Sequence, residues 1–129
     1  MAFDRDGTLK NAEHFVRLGQ YDAAIDEYQR VLQDTPDDWK TTNTLADSYL
    51  RVGRVDDATK LLARIADHLT REGFLPRAEA FYKRILKVSP ADEHALARLA
   101  DLASKRGILV EAKDYLLALA RAQQGRNDR

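Results

Sequence analysis

Apolar residues in this chain recur at helical spacing, and the recurrence restarts four times, each time at a fixed distance from a glycine. The four glycines are Gly19, Gly53, Gly73 and Gly107. Two residues after each stands a large apolar side chain: Tyr21, Val55, Leu75 and Leu109. Five after is always alanine, at Ala24, Ala58, Ala78 and Ala112. Nine after come Tyr28, Leu62, Tyr82 and Leu116, and twelve after come Val31, Ile65, Ile85 and Leu119. Offsets of two, five, nine and twelve fall along one face of an α-helix, so each glycine is followed by an amphipathic helix. Seven before each glycine lies a further alanine, Ala12, Ala46, Ala66 and Ala100, on a preceding helix. Alanines on facing helices allow close axial approach, while bulky residues a turn away fill the remaining space. The glycine itself suits the left-handed C-cap between the two. Pro36 and Pro90 stand seventeen residues beyond Gly19 and Gly73 and end the second helix, whereas Pro76 falls in a first turn, where its missing N–H costs nothing. The pattern predicts seven helices, near 6–18, 22–34, 38–52, 56–72, 76–88, 92–106 and 109–123.

Spacing between the glycines is uneven. Gly19 to Gly53 and Gly73 to Gly107 are both 34 residues, but Gly53 to Gly73 is only 20, room for one helix where a full repeat needs two. Ile65 and Ala66 fit the pattern counted forward from Gly53 and equally the pattern counted backward from Gly73. One helix over 56–72 is therefore expected to serve two repeats, the alternative being that it breaks into two short ones. The expected organisation is a single domain over 1–129, with repeat block 6–72 and repeat block 56–123 sharing helix 56–72, and a polar tail at 124–129.

Composition narrows the function. The 129 residues carry 21 Lys+Arg against 21 Asp+Glu, a formal net charge of zero, which argues against nucleic-acid binding by phosphate neutralisation. No stretch of 18 apolar residues is present, so no membrane partner is expected. Absence of cysteine removes disulfides, thiolate chemistry and cysteine zinc sites, and with it comes the expectation of a reducing, cytoplasmic location. His14, His68 and His94 stand without a metal-binding or phosphate-cradling motif, so no metal, no cofactor and no enzymatic activity are expected. Asp22, Asp56 and Asp57 are read as N-caps and first-turn charges.

Charge is patterned on the repeat. Six residues before each turn glycine is an acid and two before it a base: Glu13 with Arg17, Asp47 with Arg51, Asp67 with Arg71, and Asp101 with Lys105. Such i, i+4 pairs stabilise a helix by about 0.2–0.5 kcal/mol each, whatever else they do.

Taken together, Gly19-Gln20-Tyr21-Asp22-Ala23-Ala24-Ile25 through Pro36 and Gly73-Phe74-Leu75-Pro76-Arg77-Ala78 through Pro90 resemble the tetratricopeptide repeat family, in the manner of a bacterial-type scaffold protein, over roughly residues 6 to 123. Asn11 departs from the pattern where an apolar residue is usual, which suggests a loosely packed first helix. The resemblance implies an all-α, right-handed helical-hairpin repeat array, an α-solenoid of about seven antiparallel helices. It also implies a non-enzymatic scaffold that binds a peptide or protein segment in a concave groove lined by the first helix of each repeat. Carried onto this sequence, the groove residues are Lys40, Asn43, Asp47, Lys60, Arg64, Asp67, Arg71, Arg98 and Asp101. Lys60 and Arg64 resemble the basic half of the carboxylate clamp found in some members, but Leu9 and Glu13 stand where its first lysine and asparagine belong.

The last helix offers an alternative. Leu109, Val110, Tyr115, Leu116, Leu117 and Leu119 lie around more than one of its faces, which favours self-assembly as a homo-oligomer. Either that helix meets another molecule or the natural chain continues; for self-association a homodimer through helix 109–123, with Tyr115 and Leu117 as its contacts, is the commoner arrangement and a head-to-tail contact the alternative.

Overall fold

The computed structural model describes residues 2–128. Among them the regular structure is entirely α-helical: α1 (Arg5–Arg17), α2 (Tyr21–Asp34), α3 (Trp39–Arg51), α4 (Val55–Arg71), α5 (Leu75–Val88), α6 (Glu93–Lys105) and α7 (Leu109–Asn127). All seven expected helices form.

Four of the connections are one structure repeated. After α1 the N–H of Gly19 donates to the carbonyl of Val16 at 3.0 Å and that of Gln20 to Phe15 at 2.8 Å, the paired 5→2 and 6→1 bonds of a Schellman motif. Arg54 bonds Tyr49, Phe74 bonds Leu69 and Ile108 bonds Ala103 in the same way, each at 2.9 Å. All four turn glycines have positive φ, from 73° to 83°, which is why the pattern is anchored on glycine.

The two proline-containing connections differ. The N–H of Asp38 donates to the carbonyl of Thr35 at 3.2 Å, and that of Asp92 to Ser89 at 3.0 Å, closing β-turns that place Pro36 and Pro90 at their second positions. The fourth residue of each turn then caps the next helix: Asp38 accepts from Thr41 N at 3.1 Å and Asp92 from Ala95 N at 2.9 Å. Asp4 does the same for α1, accepting from Gly7 N at 3.0 Å. Caps thus belong to helices entered from a loop or a proline turn. Asp22, Asp56 and Asp57, expected as caps and first-turn charges, are first-turn charges only; Gln20, which precedes α2, makes no side-chain cap, and the helix follows directly from the Schellman turn.

The chain divides into two compact units, the first ending at Leu61 and the second beginning at Leu62. In the first, α1 packs on α2 and α2 on α3 around Ala12, Ala24, Ile25, Tyr28, Leu45, Tyr49 and Ala58. Asn11 is exposed, yet Ala12 beside it is wholly buried and Leu9, Phe15 and Val16 pack against the core, so α1 is docked rather than loose. In the second unit α5 packs on α6 and α6 on α7, and Tyr82, Ile85 and Leu99 are among the largest side chains fully buried. Burying a side chain of this size contributes about 1.5–3 kcal/mol.

Helix α4 runs without a break for 17 residues between two glycine turns, so the alternative of two short helices is not adopted. Helix α7 continues to Asn127, through most of the segment expected as a tail; Gln123, Gln124, Arg126 and Asn127 remain exposed and polar along it. No helix among the described residues is long and apolar enough to cross a membrane.

Candidate protein-binding site

In the second unit, α4 presents Asp67, Thr70 and Arg71, α5 presents Tyr82, and α6 presents His94 and Arg98, all lining one pocket of about 230 Å³. Tyr82 forms its floor. The ring is wholly buried, and its hydroxyl donates to Asp67 Oδ1 at 2.5 Å with Thr70 Oγ1 3.4 Å away. Burial, together with the bond to the Asp67 carboxylate, pushes the Tyr82 phenol up to about 12, so it is a hydrogen-bond donor at any physiological pH. From α6, His94 Nε2 reaches both oxygens of the same carboxylate, at 2.9 and 3.1 Å, and its ring meets Tyr82 edge-on at 6.1 Å. Asp67 therefore ties three helices together.

The site extends along α6 into a smaller cavity of about 30 Å³ lined by Thr70, Tyr82, Arg98, Asp101, Leu102 and Lys105. Arg98 and Asp101 pair there at 3.5 Å, both about half exposed. A contact of this kind contributes at most about 1 kcal/mol, so it leaves the guanidinium available for exchange with another anion.

The first unit has a pocket at the same repeat positions, about 220 Å³, lined by Val16, Tyr21, Tyr28, Thr44, Asp47, Ser48 and Arg51. The Arg51 guanidinium lies 5.9 Å over the Tyr21 ring, a cation–π contact. Tyr28 corresponds to Tyr82, nine residues after its glycine, but Thr44 occupies the register that Arg98 holds in the second unit. One recurrent pocket thus carries different charge in the two units.

Of the groove residues expected from the sequence, Asp67, Arg71, Arg98 and Asp101 come together in the second unit, and Asp47 lines the pocket of the first. Lys40, Lys60 and Arg64 are exposed on α3 and α4 and Asn43 is half-buried; none of these lines the three cavities described. Three residues of the second unit's pocket lie outside the expected set: Thr70, Tyr82 and His94. Tyr82 reads as a core position, and His94 belongs to no recognisable motif. His94 nonetheless stands thirteen residues before Gly107, as Lys40 and Lys60 stand before Gly53 and Gly73, so the register contained the signal. Of the pair expected in self-association, Leu117 is 45% exposed, whereas Tyr115 is half-buried, its phenol raised by burial and facing Lys83, Glu111 and Glu79. The two lie on different faces of α7.

The family model described as the tetratricopeptide repeat matches residues 15–73. Those residues belong to the tetratricopeptide repeat family. The Schellman turns, the alanine contacts and the tyrosine floor recur beyond Gly73 in the same register, so the second unit is built of the same hairpin. No curated protein matches the chain. Among solved structures, one described as the crystal structure of MamA is similar at 12% identity with a TM-score of 0.53, covering 98% of this chain and 82% of that one. Two MamA mutants are similar at 24% and 22% identity, each with a TM-score of 0.50, covering 96% and 93% of this chain and 76% and 98% of theirs. These likenesses show a shared helical-repeat fold. In general terms, a tetratricopeptide repeat chain is a protein–protein interaction scaffold.

Proposed function

We propose that this tetratricopeptide chain is a non-enzymatic scaffold that holds an acidic side chain or chain end of a peptide in the pocket of its second unit. The observation that carries the reading is the charge state of that pocket. The carboxylate of Asp67 is taken up by Tyr82 and His94, while Arg71 and Arg98 line the same walls, leaving the lining with a positive surplus. A pocket of about 230 Å³ suits one carboxylate-bearing side chain rather than a whole small-molecule ligand, for which about 300–1,000 Å³ is usual. Asp67 is held by two donors, which favours a positioning role for it over acid–base work. Repeat block 6–72 and repeat block 56–123, sharing α4, would act as one domain of residues 1–129, working in the cytoplasm.

The test is titration of the labelled chain with a set of short peptides matched in sequence but acidic, neutral or basic, followed by amide shifts in the NMR spectrum. Acidic peptides should perturb the resonances of Arg71, Tyr82, His94 and Arg98, and Arg98→Glu should weaken that binding by about tenfold, the size expected for reversing a partly desolvated charge. Equal response to all three peptide classes, or full binding by Arg98→Glu, refutes the assignment.

A further inference from the structure

Helix α7 has two apolar faces, and only one of them is used. Its inner stripe, Ala112, Tyr115, Ala118, Leu119 and Ala122, is buried or half-buried at i, i+3, i+6, i+7 and i+10. Its outer ridge leaves Leu109 71%, Val110 73%, Leu116 53% and Leu117 45% exposed. These are the largest clustered apolar exposures on the molecule among the described residues, and Leu116 makes the point most sharply. At its repeat position, nine after the turn glycine, Tyr28, Leu62 and Tyr82 are all buried to 3% or less. A side chain that the repeat elsewhere covers with a helix is left open here. Four such side chains on one ridge exceed the scattered exposure normal for a monomer.

We propose that the Leu116–Leu117 part of the ridge is covered by the same part of a second copy of this chain, with the two α7 helices antiparallel. Charge along the helix supports that occupant. Asp114 and Arg121 are seven residues apart, two turns along the same flank of the ridge, and of opposite sign. A two-fold axis between antiparallel helices brings like flanks together, so Asp114 of each copy meets Arg121 of the other twice over, with Leu116 and Leu117 of both copies between the pairs. A parallel two-fold would instead set this flank against the opposite flank of the other copy, leaving Asp114 and Arg121 without each other as partners. The pocket of the second unit is lined by α4, α5 and α6, so pairing through α7 is independent of the peptide reading above.

The test is solution mass of the full chain by light scattering after size exclusion, at about 1 and 100 μM, a span that covers weak to moderate association. The wild type is expected to shift from monomer to dimer across that range. Asp114→Arg and Arg121→Asp should each weaken dimerisation by at least about tenfold, and the double variant should restore it. Leu116→Glu should be monomeric at both concentrations with an unchanged far-ultraviolet CD spectrum, which separates lost pairing from lost folding. A wild type that stays monomeric at 100 μM overturns the proposal. So does a dimer that survives Leu116→Glu, or one for which the double charge swap is no better than either single change. Because the readout is mass, failure here leaves the peptide titration untouched.

Discussion

Replacing Tyr82 with phenylalanine isolates the bond on which the second unit's pocket is built. The ring is wholly buried, so Tyr82→Phe keeps the packing and removes only the hydroxyl that donates to Asp67 at 2.5 Å. A hydrogen bond to a charged acceptor is worth about 1.5–3 kcal/mol, and Asp67 retains His94 as a partner, which places the expected loss at about 1.5–2 kcal/mol near pH 7. The alkaline behaviour gives an independent check. The phenol is raised from 10.0 to about 12 in the folded chain, so the protonated form is the one folding favours. That contribution is fully present below the unfolded value and is lost as pH climbs from about 10 toward 12, and two pKa units correspond to about 2–3 kcal/mol. Urea unfolding followed by CD at pH 7 and at pH 11 measures both. Tyr28 and Tyr115 are also raised by burial, so the wild type and the variant share part of the alkaline loss and the informative quantity is the difference between them. The two stabilities should converge as pH rises. A variant within about 0.5 kcal/mol of wild type at pH 7, the range of neutral surface changes, refutes the account of the bond. A gap that stays constant from pH 7 to 11 refutes the account of the titration.

Two further substitutions test the frame that holds the site. Gly53→Ala forces a side chain into a turn at φ 78° and should cost about 1–2 kcal/mol, although open space surrounds the added carbon; Gly125→Ala, inside α7 with equal space, should gain about 0.5–1 kcal/mol, and chemical denaturation that ranks them the other way would refute the conformational argument. Asp38→Ala removes the cap of α3, where the carboxylate accepts from Thr41 N at 3.1 Å and Thr41 Oγ1 at 2.8 Å and pairs with Arg5, and should lower stability by about 1–2 kcal/mol. Burial works to raise the Asp38 carboxyl, but the hydrogen bonds from Arg5 and Thr41 outweigh it and hold it below its usual value. Its contribution is therefore present above the ordinary carboxylate range and lost as pH falls through the depressed value, so the gap between wild type and Asp38→Ala should close in acid and persist at neutral pH.

The turns and the helices were determined by the sequence alone, and the reason is local. A left-handed cap requires glycine, a β-turn favours proline at its second place, and a helix that packs must repeat its apolar residues near every 3.6 positions; each of these rules acts within a few residues of chain. Gly19, Gly53, Gly73 and Gly107 therefore disclosed the hairpins, and the short interval between the middle two disclosed the unbroken α4. The caps were only half legible. Asp22 and Asp38 are the same residue type near a helix start, and what separates them is whether the helix follows a proline turn or a Schellman turn.

Tertiary structure decided the site, because the partners of Asp67 are remote in sequence. Tyr82 lies 15 residues away and His94 lies 27, and no helical spacing relates either to α4. The sequence placed Asp67 and Arg71 as an i, i+4 pair and Arg98 27 residues after Arg71; only packing of α5 and α6 shows that they share a pocket and that Tyr82 and His94 occupy the carboxylate. The same holds for α7. Its composition shows an excess of apolar residues, but which of them face inward is fixed by where α6 lies against it, and that contact buries the Ala112 and Leu119 side and turns Leu116 and Leu117 outward. Local rules act through the backbone and can be read along the chain; a shared pocket or an uncovered ridge is a property of distances between helices, which the chain order does not contain.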